Sequence, residues 1–194
     1  MRGVIAYYHL EEWWRSAFSD SERERIQSTY QPLGMSVGLT AGEVTYISQG
    51  VVGFLGGLAS WFAKAPDRPI AYKIFQYALT QVADADPIET HFLYQQMIEI
   101  FYKSREQPEF LEKAIAACHD QINLAPKAAP AFLAKRWCTS LPGHKGYEQL
   151  AIILEKRGEL NSVIELCEQA SAQGWAGNWS HRIERCQKKL VKKV

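Results

Sequence analysis

The sequence has almost no excess of charge. Its 22 Lys and Arg stand against 21 Asp and Glu over 194 residues, a net charge of +1. That balance excludes a chain whose whole surface is built to hold nucleic acid. With 47% hydrophobic residues it also excludes a disordered, self-repelling polymer. Cysteine is scarce and scattered. Cys118, Cys138, Cys167 and Cys186 contain no C-x-x-C pair, so neither a redox motif nor a zinc ribbon is indicated. Four reduced thiols fit a cytoplasmic protein. Long apolar runs are missing too. The uncharged stretch Val51–Ala63 has 13 residues, whereas a membrane-spanning helix needs about 20, so it predicts a buried helix and no membrane partner. The N-terminal run Val4–Tyr8 is cut off by His9, Glu11 and Glu12, too short for a signal-peptide core. Strand-like segments are limited to Val4–Tyr7 and Val44–Ile47.

Helical signals fill the rest. Leu10, Trp13, Trp14 and Phe18 fall at i, i+3, i+4 and i+8, one face of a helix. Ser19 with Glu22 makes a capping box for a helix ending near Tyr30, and residues 31–39 suggest a loop. Thr40 with Glu43 repeats the capping signature and predicts a long helix to about Lys64. Its glycines at 50, 53, 56 and 57 disfavour a helix unless another element approaches closely there. A glycine-cradled phosphate is a weak alternative, because the Lys-Ser/Thr that ends a P-loop is missing. Further helices are predicted over 70–83, 89–104, 110–124, 145–157, 160–173 and 179–192, with Gly158 and Gly174 as C-terminal caps. Residues 126–144, with three prolines, predict a break holding at most a short helix at 130–137.

The helices repeat. From Tyr147, small or apolar residues follow at Leu150, Ala151, Leu154, Gly158, Leu160, Val163, Cys167 and Ala170. From Leu55 the same offsets give Leu58, Ala59, Phe62, Pro66, Ala71, Phe75 and Ala78, with only Arg68 out of place. A middle copy starts at Tyr94 and carries Met97, Ile98, Phe101, Leu111, Ala114, Cys118 and Gln121, with a turn four residues longer. Small residues at 59, 71, 78, 114, 151 and 170 would let paired helices approach, and the large ones would fill the space to the next pair.

This pattern resembles the tetratricopeptide repeat, a helix hairpin of about 34 residues. The stretch Gly146–Ala170 carries the resemblance most clearly, and the middle copy adds Leu111-Glu-Lys-Ala-Ile115 and Pro126. The likeness covers about residues 52–177, but the copies start 39 and 53 residues apart. It implies an all-α fold of stacked antiparallel helix hairpins, a tetratricopeptide-like short solenoid, in a single domain. Residues 1–39 would form an N-terminal helical cap, 40–177 the hairpins and 178–194 a C-terminal capping helix. The aromatic N-terminal region would cover the first hairpin or lie in the groove.

In such repeats the first helix of each hairpin lines a groove for a peptide. The matching positions are Ser60 and Lys64, then Gln95, Glu99, Tyr102 and Lys103, then Lys145, Glu148, Ile152 and Lys156. Family members that clamp the C-terminal carboxylate of heat-shock chaperones use a Lys and an Asn where this chain has Gly56 and Ser60, so that clamp is not expected.

Signs of catalysis are weak. Cys118 and Cys167 occupy equivalent repeat positions and suit a core, and adjacent Cys118 and His119 would point apart on a helix. Cys138, His144, His181 and Cys186 lack zinc-finger spacing. The acidic pairs Glu11–Glu12, Asp84–Asp86 and Glu165–Glu168 suit solvated faces or a turn. The expectation is a non-enzymatic scaffold or adaptor, without metal or cofactor, that binds a protein or peptide. One alternative is a nucleic-acid accessory factor using the basic tail Arg182, Arg185, Lys188, Lys189, Lys192 and Lys193, though that tail also complements a helix dipole. Another is a self-assembling structural protein, with a second copy in the groove.

Overall fold

A computed structural model describes residues 1–32 and 38–192. The middle of the expected 31–39 loop and the tail residue Lys193 lie outside the described residues. Among those residues the chain is all-α, with ten α-helices, one 3-10 turn and no strand. It resolves into two compact units, residues 1–93 and 94–194.

The first unit holds α1 (Gly3–Tyr7), α2 (Glu11–Ala17), α3 (Asp20–Thr29), α4 (Val51–Ser60) and α5 (Arg68–Ala78). It also holds the start of α6 (Pro87–Tyr102). The Ser19–Glu22 capping box forms in full and opens α3. Leu10, Trp13, Trp14 and Phe18 are all buried, as their spacing required. Trp13 stacks on Tyr77 of α5 at 4.8 Å, and Glu22 of α3 bonds Lys73 of α5 at 2.8 Å. The N-terminal helices therefore pack on α5.

Two expectations are corrected here. Val4–Tyr7 is not a strand. It lies in α1, whose first amides, on Gly3, Val4 and Ile5, donate to the carbonyls of Gly42, Gly38 and Leu39. Thr40 and Glu43 do not cap a helix, because their segment is engaged as acceptors for α1. The helix expected after them, α4, begins only at Val51. Between them the chain is held by tyrosine: Tyr8 Oη donates to the Gln49 carbonyl at 2.7 Å, and the Ile47 amide donates to Tyr7 Oη at 3.3 Å.

Helix α4 is capped from a distance. Its Gly50 and Gly53 amides donate to the two carboxylate oxygens of Glu89, on α6, at 2.6 and 3.0 Å. A Cβ on Gly53 would lie 2.9 Å from the Glu89 carboxyl carbon, so glycine is what admits that carboxylate. The close approach suggested by the glycines is real at 50, 53 and 56, whereas Gly57 faces open space. The helix end that a phosphate would use is filled by the protein's own anion.

The second unit holds the rest of α6, then α7 (Pro108–Leu133), α8 (Lys145–Arg157), α9 (Leu160–Ala172) and α10 (Trp179–Val191). Helix α8 packs on both α7 and α9, and α10 packs on α9. The expected break after residue 124 is corrected: α7 is one helix of 26 residues that continues through Pro126 and Pro130 to Leu133. Both prolines are exposed, whereas Ala114, Cys118, Gln121, Ala125, Ala128 and Phe132 form one buried stripe. The prolines deprive the carbonyls of Ile122 and Pro126 of helical partners, and burial of the opposite face keeps the helix intact.

Both predicted glycine caps form. Gly158 (φ 79°) and Gly174 (φ 82°) adopt the left-handed conformation. Each ends its helix in a Schellman motif: Gly158 N–H donates to the Glu155 carbonyl and Glu159 N–H to Leu154, repeated by Gly174 to Ser171 and Trp175 to Ala170. The six small residues at 59, 71, 78, 114, 151 and 170 are all fully buried.

Candidate functional site

The candidate surface of the second unit is built by α6 and α8. The start of α8 is held twice: Gln121 Oε1 of α7 accepts from the Gly146 amide at 2.6 Å, and Nδ1 of the N-cap residue His144 accepts from the Tyr147 amide at 3.4 Å. Gln121 and His144 are both fully buried, so the start of α8 is fixed by groups shielded from water. Tyr147 is buried below it, beside His144, and donates to Gln173 Oε1 at 3.1 Å.

This fixed helix presents its polar side to α6. Lys145 Nζ lies 4.0 Å from Glu99 Oε1, and Gln95 Nε2 donates to the same oxygen at 3.4 Å. About one and two turns further along α8, Glu148 and Ile152 are half-buried. At the far end Lys156 Nζ donates to Tyr102 Oη at 3.1 Å, and the Arg105 guanidinium lies 4.8 Å from the Tyr102 ring centre. The structure thus joins Gln95, Glu99 and Lys145 at one end and Tyr102 and Lys156 at the other. Lys103 is exposed just past the end of α6. Lys64 is different: it lies in the first unit, exposed in the turn that follows α4, because that helix stops at Ser60. Arg105 was missed in the sequence, although its i+3 spacing from Tyr102 was the available signal.

The basic C-terminal helix is engaged internally. Glu155 of α8 takes Arg185 at 2.7 Å, Lys189 at 2.7 Å and Arg182 at 3.5 Å. Hydrogen bonds from Arg185 and Lys189 hold its carboxyl down at about 2, against an ordinary 4.5. Half of the six-residue basic tail is therefore turned onto one carboxylate.

The thiols are packing groups. Cys118 and Cys167 are fully buried, and burial pushes them up to about 12 and about 11, so both stay protonated at neutral pH. His119, next to Cys118, is exposed, so the two side chains diverge. Glu165 and Glu168 are exposed. Asp86 Oδ1 accepts from the Ile88 amide at 2.7 Å as a local helix-start contact. Among the described residues, no three His, Cys, Asp or Glu side chains converge as a metal site would require, and no helix is long and apolar enough to cross a membrane.

A scan against protein-family models finds no matching family, and neither curated proteins nor solved structures give a match to this chain.

Proposed function

We propose that the protein is a non-enzymatic, cytoplasmic scaffold or adaptor of tetratricopeptide-like hairpins, which binds a protein or peptide segment along α6 and α8. The observation that carries this reading is the pairing of the two helices through Glu99–Lys145 and Tyr102–Lys156. These contacts line up amide, carboxylate, ammonium and phenol groups on a support whose other face is core. Such a surface offers a peptide both charges for register and a ring for burial. Tyr102 supplies aromatic area, Ile152 supplies apolar area, and Lys103, Lys145, Glu99 and Glu148 set the order of charges in the partner. Lys64 belongs to this reading as the corresponding position of the first hairpin.

Amine-reactive crosslinking of the full chain to captured partners, read by mass spectrometry, tests the proposal. Crosslinks should concentrate at Lys103, Lys145 and Lys156, and the charge-reversed pair K103E/K145E should lose the partner. A partner retained in full by that double variant refutes the groove assignment. A nucleic-acid role for α10 has less support, because Arg182, Arg185 and Lys189 are held by Glu155.

A further inference from the structure

The end of α7 carries a surface that the groove does not use. From residue 121 to residue 147 there is no Asp or Glu, a gap of 27 residues in a chain with 21 acidic groups, while Lys127, Lys135, Arg136 and Lys145 fall inside it. Along α7, Pro126, Pro130 and Leu133 stand at i, i+4 and i+7 and share its solvent side. The turn closed by the Cys138 amide on the Lys135 carbonyl at 3.0 Å then brings Arg136 and Trp137 to its corner. Leu133 is 54% exposed and Trp137 68%. The Trp137 ring is braced from behind by Phe132, edge to face at 6.4 Å, and Phe132 is itself fully buried against Trp175. The chain thus holds a tryptophan and a leucine outward at a helix end, beside exposed Lys127 and Arg136.

We infer that this tip docks on an anionic lipid surface. An indole suits the boundary between headgroups and hydrocarbon, a leucine enters the acyl region, and cations nearby are drawn to acidic headgroups. The charge pattern selects the occupant. A second copy meeting the same face about a two-fold axis would bring both copies' Lys127 and Arg136 into one contact, and residues 121–147 supply no carboxylate to offset them. A protein partner would need a matched pocket for two side chains projecting from a helix end and a turn, whereas a fluid bilayer needs none. The inference departs from the expectation of no membrane partner, which rested on the lack of a spanning segment; docking at the surface requires none. It is independent of the α6–α8 groove.

Cosedimentation of the full chain with vesicles tests it. Vesicles of phosphatidylcholine containing phosphatidylserine should bind the protein, vesicles of phosphatidylcholine alone should not, and binding should weaken as salt rises. K127Q/R136Q should lower partitioning about 25-fold, at about fivefold for each cation removed. L133A/W137A should lower it about tenfold, and W137F should retain most of it. All four positions are exposed, so an unchanged circular dichroism melt establishes that each variant is folded. The inference is overturned if the wild type ignores phosphatidylserine vesicles, if it binds neutral vesicles equally well, or if both double variants bind undiminished. Retention of the chain on polyglutamate through Trp137, without vesicle binding, would overturn it in favour of an acidic protein partner.

Discussion

Glu155→Gln isolates one carboxylate whose loss should be felt along a whole helix. Glu155 is only 13% exposed and anchors α10 through Arg185, Lys189 and Arg182. Its carboxyl is lowered from 4.5 to about 2. At about 1.4 kcal/mol per pKa unit, that displacement corresponds to about 3 kcal/mol of native-state preference for the charged form. Arg185 and Lys189 are 41% and 49% exposed, so water screens part of this, and a cost of about 1–2 kcal/mol is expected at neutral pH. The sign follows from linkage. A carboxyl held below its unfolded value contributes stability above about pH 4.5, and loses it as pH falls toward about 2. Urea unfolding at pH 7 should therefore separate E155Q from wild type, and the gap should narrow steadily below pH 4.5. Hydrogen exchange at pH 7 should show faster exchange within Trp179–Val191 before global unfolding changes. A variant as stable as wild type at pH 7, with α10 equally protected, would refute the claim that Glu155 holds the basic helix.

Two substitutions test the other supports. Glu89→Ala removes the acceptor of the Gly50 and Gly53 amides and should destabilise the first unit by about 1–2 kcal/mol in a thermal melt, with E89Q costing less. Gly146→Ala places a Cβ 2.8 Å from the Cys118 carbonyl and 3.0 Å from Gln121 Oε1, so it should cost about 1–3 kcal/mol in urea unfolding and weaken partner capture along α8.

Much of the helical architecture was legible because its signals are local. The Ser19–Glu22 box, the Gly158 and Gly174 caps and the burial of Trp13, Trp14 and Phe18 each follow from a few neighbouring residues. The repeat offsets located six small residues that are all fully buried, and they placed Cys118 and Cys167 in the core. Local reasoning failed where a distant partner decided the outcome. Thr40–Glu43 carries a capping signature, yet its neighbours' carbonyls serve α1. Pro126 signals a helix end, yet the buried stripe from Ala114 to Phe132 outweighs two missing amides on the exposed side.

The same division applies to the candidate sites. The predicted helices put Gln95, Glu99 and Tyr102 on one helix and Lys145, Glu148, Ile152 and Lys156 on another, with Lys103 falling just past the end of the first in the structure. Only the tertiary structure set Glu99 beside Lys145 and Tyr102 beside Lys156, because a pairing across helices depends on how buried faces seat, which no local pattern encodes. The near-zero net charge was likewise fixed by composition, but its distribution was not. Folding turned three basic side chains of α10 onto Glu155 and left Leu133 and Trp137 facing water at the end of α7. Sequence determined most of the helical segments and where most of them stop, since those are short-range energies. Tertiary structure decided which charges are paired internally and which stay exposed, because those pairings depend on how distant buried faces seat.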